Sequence, residues 1–248
     1  LKLRVLGCGG NIGFKNQSTC FMCYHGDFSK DTDIVLIDGG TGITRIQPEQ
    51  IPQIKEILLT HAHLDHTCGM ALLVESFFDE EMKQVCKPTL HCSKVVYDQL
   101  TDSVCKKGIW MDLVERGFMN FKAIEDTEST ELVNGMKVTA VKSLHGVMTL
   151  GFIVEYKNSA FAFTGDTTYY EPFWKRLSQV PNLKGVICEV SLRNEEEKRA
   201  TESNHMTPNF LQKGIKFLDK SVTVYATHIK SYCYTSVLRQ LKELDREI

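Results

Sequence analysis

Residues 58–69 read Leu-Leu-Thr-His-Ala-His-Leu-Asp-His-Thr-Cys-Gly, so His61, His63, Asp65 and His66 fall within six positions directly behind an apolar run. The whole chain has eight histidines, and three of them are in this stretch. The short run ahead of them, residues 57–59, is consistent with a strand buried on both faces. In an extended loop, residues two apart face the same side, so His61 and His63 can converge on one ion. Asp65 and His66 continue into a helix start, signalled by the helical spacing of Met70, Leu73, Val74 and Phe77. They are therefore displaced toward a second ion.

Three further strand-like runs end in a histidine or aspartate: Ser143-Leu144-His145, Phe163-Thr164-Gly165-Asp166 and Ala226-Thr227-His228. One such end is weak evidence, but loops at strand ends are where a rigid scaffold presents reactive groups. His145 would complete a three-imidazole site with His61 and His63. His228 would join Asp65 and His66 at the second ion, and Asp166, with two oxygens, could bridge the pair. Imidazole and carboxylate without thiolate suit Zn²⁺ and also admit Mn²⁺ or Fe.

Strand and helix signals alternate throughout. Strands are expected at 3–6, 19–25, 34–37, 57–59, 89–92, 137–141, 151–156, 160–163, 186–190 and 222–226, and helices at 94–100, 171–178, 208–218 and 235–247. Thr207 and Pro208 mark a helix N-terminus. The polar segment 125–131 reads as a surface connection between halves. There is no repeat and no long linker, and a chain of 248 residues can bury one sizeable core, so residues 1–248 are expected to form a single α/β domain. Strands outnumber helices, which favours two sheets with helices outside over one parallel sheet.

Composition narrows the setting. Apolar and charged fractions of 42% and 24% are those of an ordinary globular protein, and no apolar run is long enough to span a membrane. "LKLRVLGCGG" reads as a strand entering a glycine turn and not as a targeting segment; the lack of an initiator Met leaves a removed leader open. Nine cysteines, an odd number without a framework, suggest reduced thiols and a cytoplasmic protein. Cys20 and Cys23 form a lone CxxC in a strand-like segment, and a redox or zinc pair there is the less favoured reading. A net charge of −2 leaves no electrostatic footprint for extended nucleic acid. Oligomeric state is not legible, with a homodimer left open.

A further histidine, His205, is spare once seven ligands are assigned. It sits just before a helix start, and Glu189 at a strand end could hold its imidazole protonated. The alternative is an exposed helix-capping histidine, and spacing alone does not choose. Lys230 is a candidate for a substrate phosphate, with a solvated surface lysine as the alternative. The run 7–13, Gly-Cys-Gly-Gly-Asn-Ile-Gly, has no amphipathic helix after it, which excludes a dinucleotide site and favours a flexible loop at the pocket rim. His25 and His91 have no motif context and read as structural or exposed. Tyr169, Tyr170, Phe173 and Trp174 read as helix packing, with base stacking as the alternative.

The HxHxDH cluster, an isolated His, an Asp after "FTG" and a late His closely resemble the metallo-β-lactamase superfamily, and Asp38 in "LIDGG" fits its first acidic motif. The resemblance covers nearly the whole chain. It implies an αββα four-layer sandwich, two mixed sheets flanked by helices, with a binuclear site at one edge. His63 stands where flavodiiron oxygen reductases would have Glu, and His66 where many true β-lactamases lack His; both point to a hydrolase with two divalent metal ions. "ICEVS" and "NHMTP" look like the Glu-strand and GHxTP segments of class II cyclic-nucleotide phosphodiesterases. Related tRNA 3′-processing endonucleases carry a similar Glu with an HST motif. In both groups the His serves as proton donor or charge stabiliser. Asn204 departs from the usual Gly, and Ser231 from the Pro that often follows the Lys.

The resemblance thus implies metal ligands His61, His63, Asp65, His66, His145, Asp166 and His228, with Asp65, His205 and Glu189 as the catalytic set. Two cations about 3.5–4 Å apart can bring the pKa of water to about 7 and neutralise substrate charge. A phosphodiester must expel an alkoxide, and a positioned acid is worth about 10²–10⁴-fold. The expected substrate is a small phosphodiester, first a 3′,5′-cyclic nucleotide. A tRNA-processing endonuclease is the runner-up, disfavoured by the missing basic arm. A thioesterase or lactamase would not need Glu189 and His205, and a non-catalytic metal sensor would not need a spare acid.

Overall fold

The computed structural model describes residues 1–11 and 17–248. Six strands form the first sheet, in the order β1 (Lys2–Gly7), β2 (Cys20–Tyr24), β3 (Ile34–Ile37), β4 (Ile54–Leu58), β5 (Thr89–Cys92) and β6 (Asn120–Ala123). The second runs β12 (Thr223–Thr227), β11 (Leu183–Glu189), β10 (Ser159–Phe163), β9 (Leu150–Tyr156), β8 (Lys137–Lys142) and β7 (Ser129–Glu131). Both sheets are mixed. β1–β3 are antiparallel while β3–β6 are parallel, and β7–β10 are antiparallel while β10–β12 are parallel. Parallel neighbours need crossovers, and helices supply them: α1 (Leu64–Leu73) and α2 (Lys94–Leu100) in the first half, α3 (Glu171–Ser178), α4 (Glu197–Ser203) and α5 (Pro208–Ile215) in the second, with α6 (Tyr234–Leu241) following β12.

Strand alternation builds three apolar layers. On β2, Phe21 and Cys23 face the second sheet while Cys20 and Met22 face the helices. On β9, Phe152 and Val154 meet that inner layer and Ile153 meets the outer helices. The result is helix, sheet, sheet, helix, the expected αββα sandwich. Among the described residues no helix is long and apolar enough to cross a membrane.

The same alternation settles the CxxC. Cys20 and Cys23 point to opposite faces of the sheet, both fully buried, and burial pushes the Cys23 thiol up to about 12. They are packing residues. Phe173 and Trp174 are likewise buried in the outer helical layer, which removes them as a base-stacking surface. His91 is buried against Glu56 at 2.6 Å, and His25 stacks on Tyr156.

Three elements went unanticipated. β6 "NFKA" and β7 "STE" are mostly exposed edge strands without apolar alternation, so the connection expected at 125–131 ends in a strand paired with β8. α4 "EKRATES" buries only Ala200, so no helical periodicity marks it. Elsewhere the ends shift: α5 stops at Ile215 and α6 at Leu241, short of 218 and 247, while β4 and β11 begin at Ile54 and Leu183, ahead of 57 and 186.

One contact between outer helices gives a stability prediction. A Cβ on Gly214 in α5 would run into the ring of Trp174, which is 1% exposed. Alanine would gain up to about 1 kcal/mol in helix propensity, but overpacking a filled site costs about 1–3 kcal/mol. A Cβ only 2.1 Å from the ring puts the cost at the upper end, so Gly214→Ala is expected to lower stability by about 2 kcal/mol in urea unfolding; a neutral or stabilising result would show that the ring can move aside.

Candidate metal centre and active site

Six of the side chains lie at the C-terminal ends of strands. Asp38 follows β3, His61 lies just past β4, His145 past β8, Asp166 past β10, Glu189 closes β11 and His228 follows β12. α1 begins one residue after His63 and carries Asp65 and His66 in its first turn. Asp38 (φ 59°) and His228 (φ 60°) both adopt the left-handed backbone region, a strained state for non-glycine residues that persists where surroundings over-determine it. For Asp38 those surroundings are hydrogen bonds to one oxygen from the Thr60 amide (2.8 Å) and hydroxyl (3.0 Å), and to the other from His66 Nδ1 (2.7 Å). For His228 they are its amide bonded to the Cys8 carbonyl and the close approach of Gly10, where any Cβ would strike the His228 carbonyl.

The inward-facing atoms form two sets, and a third grouping brings in His205. His61, His63, His145 and Asp166 place one ligand atom each within 4.8 Å of the others, so do Asp65, His66 and His228, and so do Asp166, His205 and His228. His61 Nε2 and His145 Nε2 lie 3.1 and 3.3 Å from His63 Nδ1. His66 Nε2 and His228 Nε2 are 3.3 Å apart, with Asp65 3.1 Å from His228. Asp166 reaches both sets: one oxygen is 3.3 Å from His66 Nε2, and the other is 3.7 Å from His61 and 3.4 Å from His228.

Five imidazoles crowding ring nitrogens together is unfavourable unless something positive lies between them. The donor set fits divalent cations. Burial, with the neighbouring imidazoles, holds His61 well below its ordinary pKa, and burial also lowers His63 and His145. All three are thus neutral, the form that ligates. His66 is the exception. Burial works to lower its pKa, but Asp166 and Asp38 outweigh it and raise it above the ordinary histidine value.

The outer nitrogens are also held, as metal-bound histidines require. His61 Nδ1 meets the Thr60 hydroxyl at 2.9 Å, His66 Nδ1 meets Asp38, and His145 Nδ1 donates to the Asn204 carbonyl at 3.1 Å. His228 Nδ1 meets the Ser191 hydroxyl at 2.9 Å. Asn204 adopts φ 53° at the end of α4, a conformation Asn tolerates almost as Gly does. Its departure from Gly therefore leaves the loop, and the carbonyl that orients His145, intact.

His205 lies beside both sets, its ring centroid 5.0 Å from that of His145 and 5.7 Å from that of His228. It is not an exposed capping residue. Its side chain is 14% exposed, and Thr207 caps α5 instead. His205 Nδ1 lies 2.7 Å from Glu189 Oε1. Burial works against the charged imidazole, but the Glu189 charge and hydrogen bond raise its pKa overall. Glu189 is 1% exposed; burial pushes its carboxyl up, and His205 outweighs that to leave it low. Amides of Thr167, Ser191 and Met206 also point at its oxygens.

Lys230 donates to the Gly10 carbonyl at 2.7 Å, and Asn11 exchanges two hydrogen bonds with Ser231. Residues 8–11 are thereby pinned to the segment carrying His228. The remainder of the loop expected at the rim, residues 12 and 13, lies outside the described residues. Sequence reasoning missed Thr60 and Ser191, since a hydroxyl next to a strand end carries no signal of its own.

Residues 34–229 match the family described as β-lactamase superfamily domain. The chain is 25% identical over 207 residues to the anti-Pycsar protein Apyc1 of Paenibacillus sp. (strain J14), spanning 81% of each chain. It is 32% identical over 111 residues to a 3′,5′-cyclic-nucleotide phosphodiesterase of Schizosaccharomyces pombe (strain 972 / ATCC 24843), spanning 45% of this chain and 30% of that one. The crystal structure of unliganded yeast PDE1 shares the fold with a TM-score of 0.83 at 17% identity, over 97% of this chain and 92% of that one. The sandwich, the histidine–aspartate cluster and a match over most of the length identify this chain as a hydrolase of the metallo-β-lactamase superfamily, with relatives named cyclic-nucleotide phosphodiesterase and ribonuclease Z.

Proposed function

We propose that this chain hydrolyses a small phosphodiester, first a 3′,5′-cyclic nucleotide, at a two-cation site. One cation would be held by His61, His63, His145 and Asp166, and the other by Asp65, His66, His228 and Asp166. Zn²⁺ suits these ligands and Mn²⁺ or Fe is admitted. When bound, such cations supply hydroxide at neutral pH and offset the charge of a phosphodiester. The observation that carries the reading is the His205–Glu189 pair at 2.7 Å, beside the ligand cluster. It keeps an imidazolium ready to protonate the departing alkoxide, an aid that thioesters and activated lactams do not require.

Ligands come from both sheets, so the whole of residues 1–248 acts as one unit in this proposal. Lys230 uses one of three ammonium donors on Gly10 and keeps the others for a substrate phosphate. A net charge of −2 supports a small substrate over a long polyanion. Nine free cysteines accord with a reducing, cytoplasmic setting.

The deciding experiment compares turnover of the cation-loaded protein on cyclic nucleotides, a linear phosphodiester, precursor tRNA and a thioester. Turnover of cyclic nucleotides above the rest is expected. Cleavage of precursor tRNA alone would favour the ribonuclease Z kind of activity, and turnover of the thioester alone would remove the proposal.

A further inference from the structure

Glu189 does more than hold His205. Ser191, two residues further along, is fully buried, and its hydroxyl lies 2.7 Å from Glu189 Oε2 and 2.9 Å from His228 Nδ1. It also approaches the His228 carbonyl at 3.2 Å and His205 Nδ1 at 3.3 Å. A hydroxyl has one proton to give, and the nearest acceptor is a carboxylate, the strongest on offer. The Ser191 O–H therefore donates to Glu189, and its oxygen accepts from His228 Nδ1–H. That fixes His228 in the tautomer whose Nε2 lone pair points at Asp65, Asp166 and His66.

The first sheet repeats this construction. Asp38 holds His66 directly at 2.7 Å and reaches His61 through the Thr60 hydroxyl, 3.0 Å from the carboxylate and 2.9 Å from His61 Nδ1. Glu189 holds His205 directly and reaches His228 through Ser191. Each buried carboxylate thus anchors one histidine by contact and a second through one hydroxyl. The difference is what they anchor. Asp38 supports two ligand histidines, whereas Glu189 supports one ligand and the candidate acid.

We infer that Ser191 is a positioning residue that orients His228 toward the second cation, making Glu189 the common anchor of that cation site and of His205. The inference rests on the two-cation reading proposed above. Ser191 touches neither substrate nor cation; it acts through the His228 ring. A role in packing alone would need only a small side chain there, and alanine would serve.

The test is cation binding measured by chelator competition, without substrate. The wild-type titration comes first: no divalent binding would remove the two-cation reading itself, independently of Ser191. Given binding, Ser191→Ala is expected to weaken the second cation about 10–100-fold, and Ser191→Thr to restore it. Wild-type affinity in Ser191→Ala overturns the inference. Should Ser191→Ala not fold, ¹⁵N spectra of histidine-labelled wild type decide instead. His228 protonated at Nδ1 in the zinc-loaded protein supports the relay, and protonation at Nε2 overturns it.

Discussion

His205→Ala will lower turnover of a 3′,5′-cyclic nucleotide by about 10²–10⁴-fold, the range for losing a positioned general acid, and will lower that of bis(4-nitrophenyl) phosphate far less. The contrast follows from the leaving groups. A ribose alkoxide is strongly basic and needs a proton as it departs, whereas nitrophenolate departs without one. Glu189 is buried and bonded to His205 at 2.7 Å, so on the proposed reading an imidazolium would be in place before substrate arrives. On the proposed ligand assignment the substitution removes no ligand atom, so the cation content should match that of wild type; a loss of one cation would make His205 a ligand. Steady-state turnover on the two substrates, with metal analysis of the same samples, checks the prediction. Equal losses on both would make His205 a binding residue and not an acid.

Removing the cations should have a larger effect still, reducing turnover to background and lowering stability. On the proposed reading cations bind only the folded chain, because only there do the ligand atoms of each set come within 4.8 Å of one another. At one hundred times its dissociation constant, each should stabilise the fold by about 2.7 kcal/mol. For a domain of this size that corresponds to roughly 5–10 °C in Tm per site. Calorimetric melting with and without a chelator, then after adding back Zn²⁺ or Mn²⁺, measures it. A chelated protein that keeps both its activity and its Tm would end the metal reading.

The parts of this molecule legible in sequence were those where one chemistry imposes one pattern. His61, His63, Asp65 and His66 announce themselves because few structures explain so many imidazoles behind a buried strand. His145, Asp166 and His228 followed because each ends a strand-like run. The two sheets were legible from the short apolar runs of β2, β3, β9 and β10. Edge strands β6 and β7 were not, since exposed residues obey no burial period, and α4 was not, with one buried side chain to mark its face. Thr60 and Ser191 were illegible for a different reason. Their importance lies in what stands opposite, and one of those partners, His228, is 37 residues from Ser191.

The two sheets meet at the ligand cluster, His61, His63, Asp65 and His66 arriving from one and His145, Asp166 and His228 from the other. Neither half has a complete set, so on the proposed two-cation reading each cation would work as a rivet across the seam. If the chain were cut within residues 125–128, between β6 and β7, the fragments would be expected to reassemble more tightly with Zn²⁺ than without it. In the intact protein, the cation centre would then also be the fastening that keeps the sandwich closed at its working edge.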